Sequence, residues 1–134
     1  MVIARIESLI LNKGMNDAIE RAKCYVKAGA DGIMIHSKQK QPDEIFEFCD
    51  KFKSIYPDIP IVVVPTTYNY VTEEELYNRG VKIIIHANHL IRSAFPAMEN
   101  TAKEILKNGC SKCVDDVCMP IKQVINFIPV NGEK

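Results

Sequence analysis

The side chains with most to offer chemically sit at the ends of short apolar runs. Arg5 and Glu7 stand two apart within Val2-Ile3-Ala4-Arg5-Ile6-Glu7-Ser8-Leu9-Ile10. On an extended strand alternate residues share a face, so this pair points one way while Ala4 and Ile6 point the other. Charges are seldom buried without a partner, and one reading is a surface Arg–Glu pair on an edge strand. The other is an anion receptor, a guanidinium fork that holds a carboxylate or phosphonate through two parallel hydrogen bonds. Glu7 then has a supporting role, orienting the fork or entering the outer shell of a metal. His36 closes a second apolar run, Gly32-Ile33-Met34-Ile35, with the same facing as Met34. A histidine there serves as a structural hydrogen bonder or as a catalytic, substrate-binding group.

Other candidates are weaker. Thr66, Thr67 and Tyr68 offer hydroxyls, but no Gly-x-Ser-x-Gly frames a nucleophilic serine. His86 and His89 stand three apart at a helix start with no third metal ligand near them in the chain, which favours capping or packing. The six glycines are scattered, mostly as helix stops, and form no phosphate-cradling loop. Cys110, Cys113 and Cys118 make a Cys-x2-Cys-x4-Cys cluster, half of a zinc or redox motif. No fourth ligand follows, and the pair does not open a helix after a strand as thioredoxin chemistry needs. A reduced, partly exposed tail is the competing reading. Cys24 and Cys49 read as small core hydrophobes.

The bulk properties exclude several function classes. With 134 residues, 47% hydrophobic and 25% charged, the chain suits one globular domain and neither a disordered, collagenous nor coiled-coil protein. Seventeen basic residues balance seventeen acidic ones, so nothing favours a nucleic acid or an anionic membrane as partner. No apolar run is long enough to span a bilayer, and no signal peptide is evident. An odd cysteine number without an export signal favours reduced thiols, and the expected location is cytoplasmic.

These residues are positioned by alternating strands and helices. Strands are expected over 2–10, 31–36, 60–65 and 81–85, the third as a continuous apolar run of the kind covered on both faces in a parallel sheet. Helices are expected from Asn16 or Asp17 to about 28, from Pro42 to 55, after a Thr72/Glu75 capping box, from about 90 to 107, and briefly within 119–127. Four such β/α units force a parallel sheet, either a small doubly wound one or half of a (β/α)8 barrel, whose full form needs about 250 residues. In both, reactive groups gather at the carboxyl ends of the strands.

Four segments in order carry a family likeness: Ala4-Arg5-Ile6-Glu7-Ser8-Leu9-Ile10, Ala28-Gly29-Ala30-Asp31-Gly32-Ile33-Met34-Ile35-His36-Ser37-Lys38, Ile61-Val62-Val63-Val64-Pro65-Thr66-Thr67-Tyr68 and Ala87-Asn88-His89-Leu90-Ile91-Arg92. Together they resemble the phosphoenolpyruvate mutase group of the isocitrate lyase superfamily, over nearly the whole chain but matching only the C-terminal half of its members. The segments 35–38 and 64–68 favour the mutase and phosphonopyruvate hydrolase branches over carbon–carbon lyases. The resemblance implies a TIM-type (β/α)8 barrel that uses Mg2+ to interconvert phosphoenolpyruvate and phosphonopyruvate, an isomerase step forming a carbon–phosphorus bond. It makes Arg5 a substrate-binding residue and His36 a catalytic, substrate-binding one beside the migrating phosphoryl group, with Glu7 in support. Asn88 and His89 then serve local structure.

The same resemblance places the magnesium ligands, the phosphoryl-accepting aspartate and the gating loop in a half absent from this chain. Residues 1–109 are expected to be the C-terminal half of the barrel and 110–134 its tail, with a natural end and a beginning that looks cut. Such a half barrel is expected to be inactive alone, and to form homo-oligomers or pair with an N-terminal half. The alternatives are a phosphonopyruvate hydrolase fragment and a non-catalytic anion-binding or interaction domain.

Overall fold

Runs of branched aliphatic residues bounded by glycine and proline form four short strands, β1 (Ile3–Ile6), β2 (Gly32–Ile35), β3 (Ile61–Val63) and β4 (Val81–Ile84). A computed structural model of the chain describes residues 1–127. The strands are all parallel and lie in the order β1-β2-β3-β4. A doubly wound sheet would reverse its strand order; this one does not, which settles the choice in favour of four consecutive units of a barrel.

The chain divides into two compact units, Met1–Ala87 and Asn88–Lys134. The first holds the sheet with α1 (Gly14–Lys27), α2 (Asp43–Ile55) and α3 (Glu73–Asn78). Right-handed crossovers between neighbouring parallel strands send these helices to one face of the sheet. There Ile6, Ile33, Ile35, Ile61, Val63 and Val81 pack against Ala18 and Ala22 of α1, Ile45, Phe48, Cys49 and Phe52 of α2, and Leu76 of α3. The opposite face follows from the register: Arg5 pairs with Met34, Met34 with Val62, and Val62 with Ile83. That row is open at Arg5 and Ile83, the latter 37% exposed, while Val62 within it is buried.

The second unit contains α4 (His89–Asn108), a single 3-10 turn at Lys112–Val114 and α5 (Ile121–Ile125). Gly109 ends α4 with φ 66°, the left-handed conformation that leaves glycine unstrained. Residues 128–134 of the expected tail lie outside the described residues.

Three expectations need correction. β1 stops at Ile6, because residues 8–12 fold into turns closed by Leu11 N–H to Glu7 O (2.9 Å) and Lys13 N–H to Ser8 O (2.8 Å). Leu9 remains buried there, so its hydrophobicity reports burial and not extension. Neither Asn16 nor Asp17 caps α1, which begins earlier, at Gly14, with no side-chain cap. Cys24 is exposed and outside the core; it lies two residues past buried Ala22, about 200° around the helix from it. Cys49 is buried as expected.

Candidate functional site

Parallel alignment of β1 and β2 brings the candidate residues together. Arg5 and Met34 are register partners on one face, and two residues further along each strand Glu7 and His36 emerge at the carboxyl ends. Arg5 Nη2 donates a hydrogen bond to His36 Nδ1 at 2.7 Å. Arg5 Nε donates to Glu7 Oε1, and that same oxygen lies 3.5 Å from His36 Nδ1. The three side chains are partly exposed: 52% for Arg5, 37% for Glu7 and 30% for His36. Burial pushes the Glu7 carboxyl upward, but the hydrogen bond and charge of Arg5, with those of His36, outweigh it and hold Glu7 below the usual carboxylate range.

The loop after β2 is tied down on several sides. Ser37 is buried; its hydroxyl donates to Glu44 Oε2 (2.5 Å) on the first turn of α2 and accepts from Gln39 N–H (3.1 Å). Thr67 Oγ1 donates to the Ser37 carbonyl at 3.5 Å, and Tyr70 donates its hydroxyl hydrogen bond to Gln41. Lys38 Nζ reaches back to the Ile10 carbonyl at 3.2 Å, stitching this loop to the one that follows β1. Ser37 and Lys38 were legible as polar strand-end residues and Glu44 as part of the start of α2, but their role in anchoring this loop was not. The one available signal was acidic residues opening α2 next to a strand-end serine.

Beside β1 lies a cavity of about 250 Å³ lined by Arg5, Glu7, Lys13, Asp17 and Arg21 among others. Asp17 accepts from Ser8 Oγ (2.6 Å) and Arg21 Nε (2.7 Å), and these hydrogen bonds, Arg21's first, lower its carboxyl below the ordinary range. This is why Asp17 does not cap its helix.

His86 Nε2 lies 3.2 Å from Glu73 Oε1, while His89 opens α4 in the second unit. Tyr68 turns its ring into the core. Cys110, Cys113 and Cys118 are all exposed, and Cys113 Sγ lies within hydrogen-bonding reach of the carbonyls of Cys110 (3.2 Å) and Glu104 (3.6 Å). Among the described residues no three His, Cys, Asp or Glu side chains are grouped to hold a metal ion.

A sequential parallel sheet whose polar groups gather at the carboxyl ends of its strands is a portion of a (β/α)8 barrel. The family model for phosphoenolpyruvate phosphomutase matches residues 1–106, and the chain belongs to that family. It is similar to a phosphonopyruvate hydrolase of Variovorax sp. (strain Pal2), 40% identical over 128 residues that make up 95% of this chain and 43% of that protein. Among solved structures it is similar to a phosphoenolpyruvate phosphomutase from Streptomyces platensis subsp. rosaceus, with a TM-score of 0.89, 37% identity, and coverage of 95% of this chain and 43% of that one. A phosphonopyruvate hydrolase solved with oxalate and Mg2+ matches with a TM-score of 0.84 and 39% identity, covering 95% of this chain and 44% of that one. The chain thus spans less than half the length of these relatives.

The residues present do not fit the magnesium found in that last complex. The carboxylate at this cluster, Glu7, is already committed to Arg5 and stands beside His36, and among the described residues no group of three His, Cys, Asp or Glu side chains is placed there to hold a metal.

Proposed function

We propose that this chain supplies the anion-gripping part of a phosphoenolpyruvate phosphomutase-like enzyme, with Arg5 and His36 holding the substrate's anionic groups. The observation that carries this is the Arg5–His36 contact of 2.7 Å across adjacent strand ends. Phosphoryl transfer is mostly positioning and charge stabilisation, so a fixed guanidinium and imidazole at one mouth are suited to it. Arg5 offers donors to a carboxylate or phosphonate, Glu7 sets the plane of the guanidinium, and the anchored loop through Ser37 and Glu44 keeps His36 in place.

These groups bind an anion and provide no phosphoryl acceptor, so turnover is expected only when the complementary part of the barrel is supplied, either as a separate N-terminal half or within an oligomer. No step here runs through magnesium. The likeness to a phosphonopyruvate hydrolase at 40% identity supports a second reading, hydrolysis of phosphonopyruvate to pyruvate and phosphate. Product analysis of a reconstituted enzyme separates the two, since only the mutase reading yields phosphoenolpyruvate.

Calorimetric titration with sulfopyruvate tests the site directly. A charge-assisted hydrogen bond is worth about 1.5–3 kcal/mol, so Arg5→Ala should weaken binding by roughly 10–150-fold. Equal affinity in the wild type and in Arg5→Ala would overturn the assignment.

A further inference from the structure

We infer that the Arg5–Glu7–His36 cluster takes up a proton together with its anion, Arg5 holding His36 as the neutral Nε2–H tautomer until the anion arrives. The inference rests on the anion-site reading above and specifies how that site is controlled.

A guanidinium has donors only and stays protonated, so a nitrogen 2.7 Å from Arg5 Nη2 must accept. His36 Nδ1 therefore carries no hydrogen, and the ring's one N–H is on Nε2. With the ring neutral, Glu7 Oε1, 3.5 Å from the same Nδ1, faces a lone pair and is held low by Arg5 alone; the part of its lowering that comes from His36 belongs to the protonated ring. Protonation of Nδ1 inverts the arrangement. The new N–H points to a carboxylate already in place and repels the guanidinium, whose Nη2 is released toward the mouth of the site. The lowered Glu7 carboxyl keeps that acceptor ionised throughout the range in which imidazoles titrate.

Charge bookkeeping points the same way. With His36 neutral, Arg5 and Glu7 cancel and the cluster has no net charge to offer an anion. One proton makes it singly positive. Anion binding and His36 protonation then favour each other, each by the same factor.

Among the described residues, the partners of Nδ1 come from β1. From β1 only Arg5 and Glu7 approach it. On the loop after β2, Lys38 is engaged with the Ile10 carbonyl and Glu44 with Ser37. Residues 61–67, on the β3 side, carry no charged or titratable group. On the outer side of β1, Arg21 is paired with Asp17, and Lys13 lines the same cavity as Arg5.

Sulfoacetate is a suitable probe, because its own charge stays constant between about pH 5.5 and 8.5 while imidazoles titrate. Its affinity should rise as pH falls across that interval, by up to about tenfold per pH unit, and at the upper end calorimetry in buffers of different ionisation heat should register uptake approaching one proton. His36→Gln should abolish both the slope and the uptake. Imidazole nitrogen spectra of the ligand-free protein at high pH should show Nδ1 unprotonated, and Arg5→Ala should shift the proton toward Nδ1. Sulfoacetate binding that depends on Arg5 but not on pH would refute the proton linkage and leave the anion site standing. A neutral ring protonated on Nδ1 in the wild type would refute the tautomer assignment in the same way. Absence of sulfoacetate binding, or binding indifferent to Arg5→Ala, would overturn the anion site and this inference with it.

Discussion

Tyr68 presents a buried polar atom with no partner among the described residues. Its side chain is fully enclosed, and its hydroxyl has no hydrogen-bond partner among the described residues. Burial, reinforced by the nearby Cys49 thiol, pushes the phenol well above its ordinary range. An unpaired hydroxyl taken out of water costs about 1–3 kcal/mol on the scale of protein mutational data. Tyr68→Phe removes that oxygen and keeps the ring in the core, so it should stabilise the chain by about 1 kcal/mol or more. For a domain of this size that is a rise in Tm of about 2–8 °C. Urea unfolding should show the same gain as a higher midpoint at constant slope. Tyr68→Ala is the control; losing the whole ring should cost about 3–5 kcal/mol. A Tyr68→Phe variant destabilised by 1 kcal/mol or more would show that the hydroxyl has a partner, and the reasoning would fail.

Two further outcomes follow from the packing. Burial, with Asp50 adding to it, pushes the Cys49 thiol from 9.0 up to about 12. Between those values the unfolded chain has released this proton and the folded chain retains it. Stability is therefore intact below about pH 9 and should fall as pH rises toward 12, by up to about 1.4 kcal/mol per pH unit, a slope that Cys49→Val should reduce in denaturation midpoints measured against pH. Thr72 caps α3 in a reciprocal arrangement with Glu75, accepting from the Glu75 N–H at 3.2 Å while Glu75 Oε2 accepts from the Thr72 N–H at 2.8 Å. Thr72→Ala should cost about 1 kcal/mol in urea unfolding, and Thr72→Ser should retain most of it.

Local chemistry made some elements legible and left others hidden. Pro42 with Asp43 and Glu44 announced α2, and Thr72 with Glu75 announced α3, because caps and first-turn charges act over three or four residues. β1 was read too long because Leu9 is apolar for reasons of burial inside a turn. Asp17 has the right type to cap a helix, but Ser8 and Arg21 claim its carboxylate. The meeting of Arg5 with His36 was foreseeable, since strand alternation and parallel pairing alone place both on one face. The struts beneath them were not. Lys38 to the Ile10 carbonyl joins residues 28 apart, and Thr67 to the Ser37 carbonyl joins residues 30 apart. Such long-range partners depend on how loops lie in three dimensions, and no pattern of residue types encodes that.

The strand order also bears on how the molecule comes into being. Each strand after the first hydrogen-bonds to the one made just before it, and no strand waits for a distant later partner within the sheet. Chain emerging from a ribosome at about 5–20 residues per second can therefore add one hairpin-free layer after another, each new strand zipping onto a template already laid down. The contact between the loop carrying His36 and its anchor at Ile10 lies wholly within the first two strands and the loops that follow them, so it needs no later strand of the sheet.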